Sequence, residues 1–387
     1  VIFTQAPTAG TLNIEFKVFS VFSIGVTTAG NILDMIANSI TLNVPERYPT
    51  IQAAFAYLAA RRIVSGAIVT IQVADGTYNL TSSINLNHPD GASIQLLGNQ
   101  STPTSCVLSV AGAGFDCIVA SNGNTFGYLN GFKVLKTVKA LAADNTTGIL
   151  ANNGATIICG PNIIVDNWYY SIAARYGSFI AAPSAQVDHA GDVGIWAFVG
   201  STIDAPGAIS NNAADVANNL GWGFEAEYGS AMNVTSASAT GCRIAGIGSL
   251  SNSNVRALSA TVSGNVGSGM FARDGATIEC HNAIANNNGR FGVESIADGH
   301  VYYSAITATG NTLNNFASKA YFDNGTNGAR IVADDGALRI DNSGTGATSF
   351  NTSQGLQFGL FSSTGDSHFE ATQGSGNGLL QVISSLT

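Results

Sequence analysis

The sequence predicts an all-β protein: a right-handed parallel β-helix with a coil period of about 23 residues, an N-terminal capping helix and a C-terminal β element. Three observations predict it. The tetrad Gly154-Ala155-Thr156-Ile157 returns at 177, 200, 229, 252, 275 and 298, so the spacings are 23, 23, 29, 23, 23 and 23 residues. Apolar columns recur at fixed offsets from that tetrad. The chain also covers itself with Gly, Ser, Thr and Asn rather than charge, with 45 glycines and only 10% charged residues against a usual quarter.

The columns give the direction of each side chain. Five residues before the tetrad stand Ile149, Ile172, Ile195, Phe224, Ile247, Met270 and Val293; two further on stand Ala151, Ala174, Ala197, Ala226, Ser249, Ala272 and Ser295. Large and small residues two apart are the signature of a strand that buries one face. A second strand places Ile157, Ile180, Ile203, Met232, Val255, Ile278 and Val301 inward, and a third Ile164, Val187, Ala239, Val262, Ala285 and Ala308. Such short strands bury their apolar faces only by stacking copy on copy, each hydrogen-bonded to its equivalent about 4.8 Å away. A turn column of Asn167, Ala190, Asn219, Cys242, Asn265, Asn288 and Asn311 reads as an asparagine ladder, since Asn tolerates left-handed turns and its amide bonds along the stack. Leucine-rich and ankyrin repeats are excluded, because neither the Leu spacing nor a helical period is present.

From the N-terminus, residues 1–40 read as a β linker or attachment segment. Thr50–Arg62 is the one convincing helix, with Ile51, Ala54, Phe55 and Leu58 forming an apolar stripe that covers the open end of the stack. Ile68–Val73 then reads as strand and Asp75–Tyr78 as turn, and coils of irregular length run to about residue 148. The β-helix is expected over 41–332. The repeat dissolves beyond Val332, so 333–387 reads as a β-rich trimerisation element.

Composition excludes several functions. The net charge is −9, from 15 Lys and Arg against 24 Asp and Glu, with no basic run, so no nucleic-acid partner is expected. No apolar span of 18 residues exists, so no membrane insertion is expected. Five cysteines lack metal or redox spacing and read as buried thiols. No metal and no cofactor are called for: Walker, HExxH and EF-hand patterns are absent, as are the motifs of polygalacturonases and pectin methylesterases.

The stretch Ile40–Asn99, with TIQAA followed by VTIQVADGTY, resembles the capping helix and first coil of pectate-lyase-like β-helices in bacteriophage tailspikes. Val1–Phe16, with the turn Ala6-Pro7-Thr8-Ala9-Gly10, is similar to linkers that join such spikes to a virion-attachment domain. The resemblance implies a homotrimer on the virion tail that binds bacterial surface polysaccharide (capsule or LPS O-chain). It also implies contact with other tail or baseplate proteins through the N-terminus. It assigns no catalytic residue, so a depolymerase and a non-enzymatic adhesin or structural fibre both stay open.

The outward columns of the first strand hold the candidate site. One reads Leu150, Ala173, Trp196, Glu225, Gly248, Phe271, Glu294, the other Asn152, Arg175, Phe198, Glu227, Leu250, Arg273, Ile296. Trp196 and Phe198 offer rings for sugars one rung before Glu225 and Glu227, and Phe271 adds another. Residues i and i+2 of a strand are about 6.6 Å apart at Cα, a spacing that suits the two carboxyls of either a retaining or an inverting glycosidase. Arg175 and Arg273, two rungs to either side of Glu227, are candidates to grip acidic sugars. The six-residue expansion, near Asn211–Val216, adjoins this strand, with Asp204 and Asp215 as further carboxylates. A second constellation, Asp188, His189 and Asp192 with Asp166 one coil below His189, reads as a polar turn stack or a base with its orienter. Glu279 and His281 are a weaker version of it.

Overall fold

The computed structural model describes residues 34–319, apart from 113, 298, 304 and 305, together with 330–333. The expected linker over 1–40 and trimerisation element over 333–387 therefore lie almost wholly outside the described residues. What is described is a parallel β-helix. A coil such as Tyr170–Arg175, Phe179–Ala181 and Gln186–Asp188 contributes one short strand to each of three sheets. We number the sheets in that order along the coil; they hold ten, twelve and eight strands among the described residues.

Stacking is in register, and this is how the sequence period becomes structure. In the first sheet Ile149 pairs with Ile172, then Ile195, Phe224, Ile247, Met270 and Val293. In the second, Ile157 leads through Ile180, Ile203, Met232, Val255 and Ile278 to Val301. All of these are buried in one continuous core.

The third sheet corrects one column. Ile164 pairs with Gln186 and faces outward, while Val165 pairs with Val187 and is buried. This coil is one residue short, and a one-residue slip moves a side chain to the opposite face. The shortening also shifts the asparagine column. Successive backbone bonds lead from Trp168 through Ala190, Ala213 and Cys242 to Asn265, so Asn167 and Asn219 are turn residues outside the ladder. The ladder proper is Asn265, Asn288 and Asn311, joined by amide bonds of 3.0 and 2.9 Å. At the same corner the column Gly223, Gly246, Gly269 must stay small: a methyl on Gly246 would lie 2.9 Å from the Asn265 amide and from Val262 Cγ1.

The six extra residues form a tight hairpin, Asp215 bridging antiparallel to Leu220, slightly later in the chain than expected. The capping helix is Ile51–Ala59, with the Thr50 hydroxyl accepting the Ala53 N–H, and it buries Ile51, Ala54 and Leu58 against the end of the stack. It stops three residues short of the expected Arg62. Asp34 and Asp90 draw Arg61 and Arg62 into ion pairs of 3.1 and 2.6 Å, and Arg61–Ile63 runs as a strand parallel to Asp34–Ile36. All five cysteines are buried free thiols, and burial pushes their pKa values up.

Candidate functional site

Outer faces of stacked sheets are ordinarily polar, yet the first sheet carries a second apolar cluster on its outside. Leu150, Ala173, Val193, Trp196, Trp222, Ala245, Leu250 and Phe271 are buried there, separate from the coil interior. Aromatic side chains make this possible. Trp196 stacks on Tyr170 with centroids 4.4 Å apart and 15° between planes, and Tyr169 meets Tyr170 edge-on at 4.6 Å. Trp222 packs against Phe271 at 5.7 Å. Its ring lies over Gly248, where a Cβ would come within 2.6 Å of it.

Glu225 sits between these two aromatic groups. It pairs with Trp196 one rung below and with Gly248 one rung above, and Glu227 pairs with Phe198, as the columns require. The expectation that both carboxyls lie open to solvent fails for Glu225, which is only 5% exposed. The large rings of neighbouring rungs close over it, which spacing alone does not reveal. Among the described residues Glu225 makes neither a hydrogen bond nor an ion pair. Burial, reinforced by Glu227 and Asp192, pushes its pKa well above the usual carboxylate range against the opposing pull of Arg273.

Glu294, three rungs up in the same column, shows what a structural buried glutamate needs. It is 3% exposed, but it accepts a 2.6 Å bond from Ser268 Oγ and lies 3.6 Å from the Arg290 guanidinium. An unpaired buried carboxyl is costly unless it stays protonated. Burial without a partner therefore favours the neutral, protonated form of Glu225 over the carboxylate.

Two further acids share the site. Burial also raises Glu227, while the Trp196 indole and Arg273 act the other way. The indole Nε1 is buried without a partner in good hydrogen-bond geometry, so its effect on Glu227 is that of a nearby dipole. Asp192 is the residue the sequence placed elsewhere. It belongs beside Glu227 rather than with His189, and burial drives it up to about 6 against the stabilising Tyr169 hydroxyl, with Glu227 and Asp215 adding to the rise. Tyr169, Tyr170 and Trp222 were missed as well. Their signal was a third outward column, Tyr170, Val193, Trp222, Ala245, Ser268 and Phe291, three residues before the Trp196 column.

The remaining candidates separate. Arg175 stacks over Tyr170 and Trp196 at 4.7 and 4.9 Å, and burial lowers its pKa. Arg273 pairs with Asp274 at 3.0 Å. Both cations are engaged by the protein itself. Asp215 is at the edge of the site but closes its own hairpin. It accepts from the Asn218 amide at 2.8 Å and from the Ala217, Asn218 and Ala142 backbones, which hold its pKa below the usual range. Asp204 is not brought to the site. It lies on the second sheet, accepting a 2.7 Å bond from Asn233 in a shallow depression. His189 does stand over Asp166, at 3.1 Å, but Lys133 and Asp188 share the stack and it lies open on the surface, a polar turn ladder. Glu279 pairs with His281 at 3.4 Å and with Arg256 at 3.6 Å. Among the described residues no group of three His, Cys, Asp or Glu is arranged to hold a metal ion.

Fold and site together define a parallel β-solenoid with an aromatic-walled acidic site on the outer face of one sheet. No family model and no curated protein matches the chain. Among solved structures its fold is similar to full-length tailspike protein 2 from Escherichia coli O157:H7 bacteriophage CAB120. The TM-score is 0.55 and the identity 12%, over 80% of this chain and 44% of that one. The chain thus spans less than half the length of that tailspike. It is similar more distantly to the A-module of a mannuronan C-5 epimerase from Azotobacter vinelandii (TM-score 0.45, identity 12%, covering 73% and 88%). The catalytic unit of an α-1,3-glucanase from Streptomyces thermodiastaticus gives 0.40, 14%, 78% and 69%. At 12% identity the likeness to the tailspike is one of fold, and it agrees with the tailspike-type β-helix that Ile40–Asn99 resembles.

Proposed function

We propose that this chain is the β-helical body of a phage tailspike that holds bacterial surface polysaccharide, capsule or O-chain, on the outer face of its first sheet and hydrolyses it. One observation carries the catalytic part: Glu225 is a buried carboxyl without a partner, beside Glu227 and between aromatic walls. In this reading the protonated Glu225 donates to the glycosidic oxygen as the bond breaks. Glu227, the more exposed of the pair, is ionised and attacks the anomeric carbon or activates water. Two carboxyls driven apart in pKa by their surroundings are what this chemistry requires. Phe198, half-buried, offers its ring to the sugars, and Trp196, only 8% exposed and stacked on Tyr170, backs it from beneath rather than forming the open platform its column suggests. The homotrimer, the virion location and the N-terminal contact with tail or baseplate proteins rest on the tailspike resemblance of residues 1–99.

The test is incubation of the purified protein with extracted capsule and O-chain, followed by sizing of the products. Glu225→Gln and Glu227→Gln should each lower product formation about 10²–10⁴-fold, the usual worth of a positioned acid or base, with retention on the polysaccharide unchanged. Light scattering should give three chains per particle. Wild-type protein that binds polysaccharide without shortening it is an adhesin, and the hydrolytic assignment then falls.

A further inference from the structure

The corner between the first and second sheets is a two-residue turn in which the leading residue is left-handed in every coil. Down the stack that position reads Asn153, Tyr176, Val199, Tyr228, Ser251, Asp274 and Ala297, with φ between 46° and 57° at each. Asn and Asp adopt this conformation easily; a bulky or β-branched residue there is strained. The three coils that hold Arg175, Phe198 and Glu227 therefore carry Tyr, Val and Tyr where a neighbour manages with Asn. Core burial does not explain the choice, because Tyr176 and Tyr228 are 51% and 55% exposed and, among the described residues, meet no aromatic ring but Phe198, edge-on. Strain kept at exposed side chains is a mark of function.

The geometry connects this corner to both of its neighbours. Phe198 touches Trp196 at 4.5 Å on one side and meets Tyr176 and Tyr228 edge-on at 5.7 and 5.4 Å on the other. Three residues after Tyr176, Val199 and Tyr228 come Phe179, Thr202 and Ala231. These line the second-sheet depression together with Asp204, Asn233 and Arg256. That depression extends from the rung of Phe179 to that of Thr277, four rung intervals or about 19 Å.

We propose that the polysaccharide held at Phe198 and Glu227 continues over the shelf of Tyr176, Val199 and Tyr228 into the second-sheet depression, as uncharged, hydroxyl-rich sugar units. This rests on the polysaccharide reading of the first sheet. Continuity with that site names the occupant, and charge names its class. Asp192, Glu225 and Glu227 crowd one end of the path, Arg175 and Arg273 are engaged within the protein, and Arg256 faces Glu279. Among the described residues no unengaged cation awaits a uronate or sialate along it. Asp204 and Asn233, already bonded to each other, present the mixed donors and acceptors that sugar hydroxyls use.

Affinity electrophoresis of the whole chain through gels cast with neutral glucan or mannan, neutral O-chain, alginate or polygalacturonate tests this. The wild type should be retarded by a neutral polymer and not by the acidic two. Tyr176→Asn and Tyr228→Asn install the residue the same column uses at 153, so both should fold and melt no lower than wild type. Each should weaken retardation about tenfold, and Asp204→Ala should weaken it several-fold. Trp196→Leu, which keeps an apolar cover over Ala173, should weaken it too. If Trp196→Leu acts and the two tyrosine variants do not, the first-sheet site stands and the extension is wrong. If only the acidic polymers retard the wild type, the assigned sugar class is wrong. Retardation by none of them overturns the polysaccharide reading and this proposal with it. If the tyrosine variants instead change the particle mass in light scattering, the shelf is a contact between copies and the proposal falls.

Discussion

Replacing Asp192 by Asn should make the protein more stable above pH 6 and leave it unchanged near pH 4. The folded chain holds this proton up to about pH 6, whereas an unfolded aspartate releases it near 3.9. Between those values the unfolded state binds fewer protons, so stability falls as pH rises, by about 1.4 kcal/mol per pH unit for this group. Two units give about 3 kcal/mol, and solvent reaching the half-buried carboxyl trims that to about 2 kcal/mol. The asparagine keeps an oxygen for the Tyr169 hydroxyl and carries no charge to repel Glu227. Thermal melts of both proteins from pH 4 to pH 8 should coincide at the acid end. They should then diverge to about 2–3 °C in favour of the variant by pH 7, at about 1.2 °C per kcal/mol for a chain of this size. Curves that stay parallel across the range would show that Asp192 is not held in its neutral form by burial beside Glu227. The desolvated-acid account of the whole site would then fail.

Three further outcomes follow from the same structure. Asn288→Ala removes the amide that bonds the Val262 carbonyl and Asn311 and that accepts from Asn265. It should cost about 2–4 kcal/mol in urea denaturation, since buried partners are orphaned on both sides. Gly246→Ala drives a methyl into the Asn265 amide and Val262; about 1–3 kcal/mol of overpacking is expected, measurable by the same titration. Glu294→Gln, made on the paired member of the Glu225 column, should leave the yield of shortened polysaccharide within about twofold of wild type, in contrast to Glu225→Gln. Equal loss in both would mean that burial in that column, rather than the missing partner, governs activity.

Much of the fold was legible because stacking turns sequence period directly into register. Once Ile149 and Ile172 are equivalent, their neighbours follow. The reading slipped where the period slips. The coil between Val165 and Val187 is one residue short, so Ile164 was assigned inward and Asn167 and Asn219 were drawn into the ladder. The site was half legible. Columns put Trp196 beside Glu225 and Phe198 beside Glu227, but burial of Glu225 depends on rings from other rungs, above all Trp222 over Gly248. Asp204 was grouped with the acids by sequence proximity, yet the turn at Val199-Gly200 carries it onto another sheet. Asp192, read with His189 on sequence proximity, faces the opposite way because the chain turns at Gly191 to begin the next first-sheet strand.

The acids and most of the aromatic side chains of the site, from Tyr169 to Glu227, come from three consecutive coils within a single stretch of about sixty residues, with Phe271 and Arg273 added from two rungs above Glu225. Most enzyme sites draw on distant parts of the chain and cannot be moved without rebuilding the scaffold. Here contacts reach only one or two rungs along the stack, so the segment has just two seams, rows of backbone bonds of which the upper is also crossed by Trp222 packing over Gly248 onto Phe271. If the proposed function holds, exchange of this stretch cut at equivalent rungs, extended to include Arg273, would transfer the acidic site in one recombination event. On the proposed tailspike function, host range would then be inherited in cassettes rather than refined one substitution at a time.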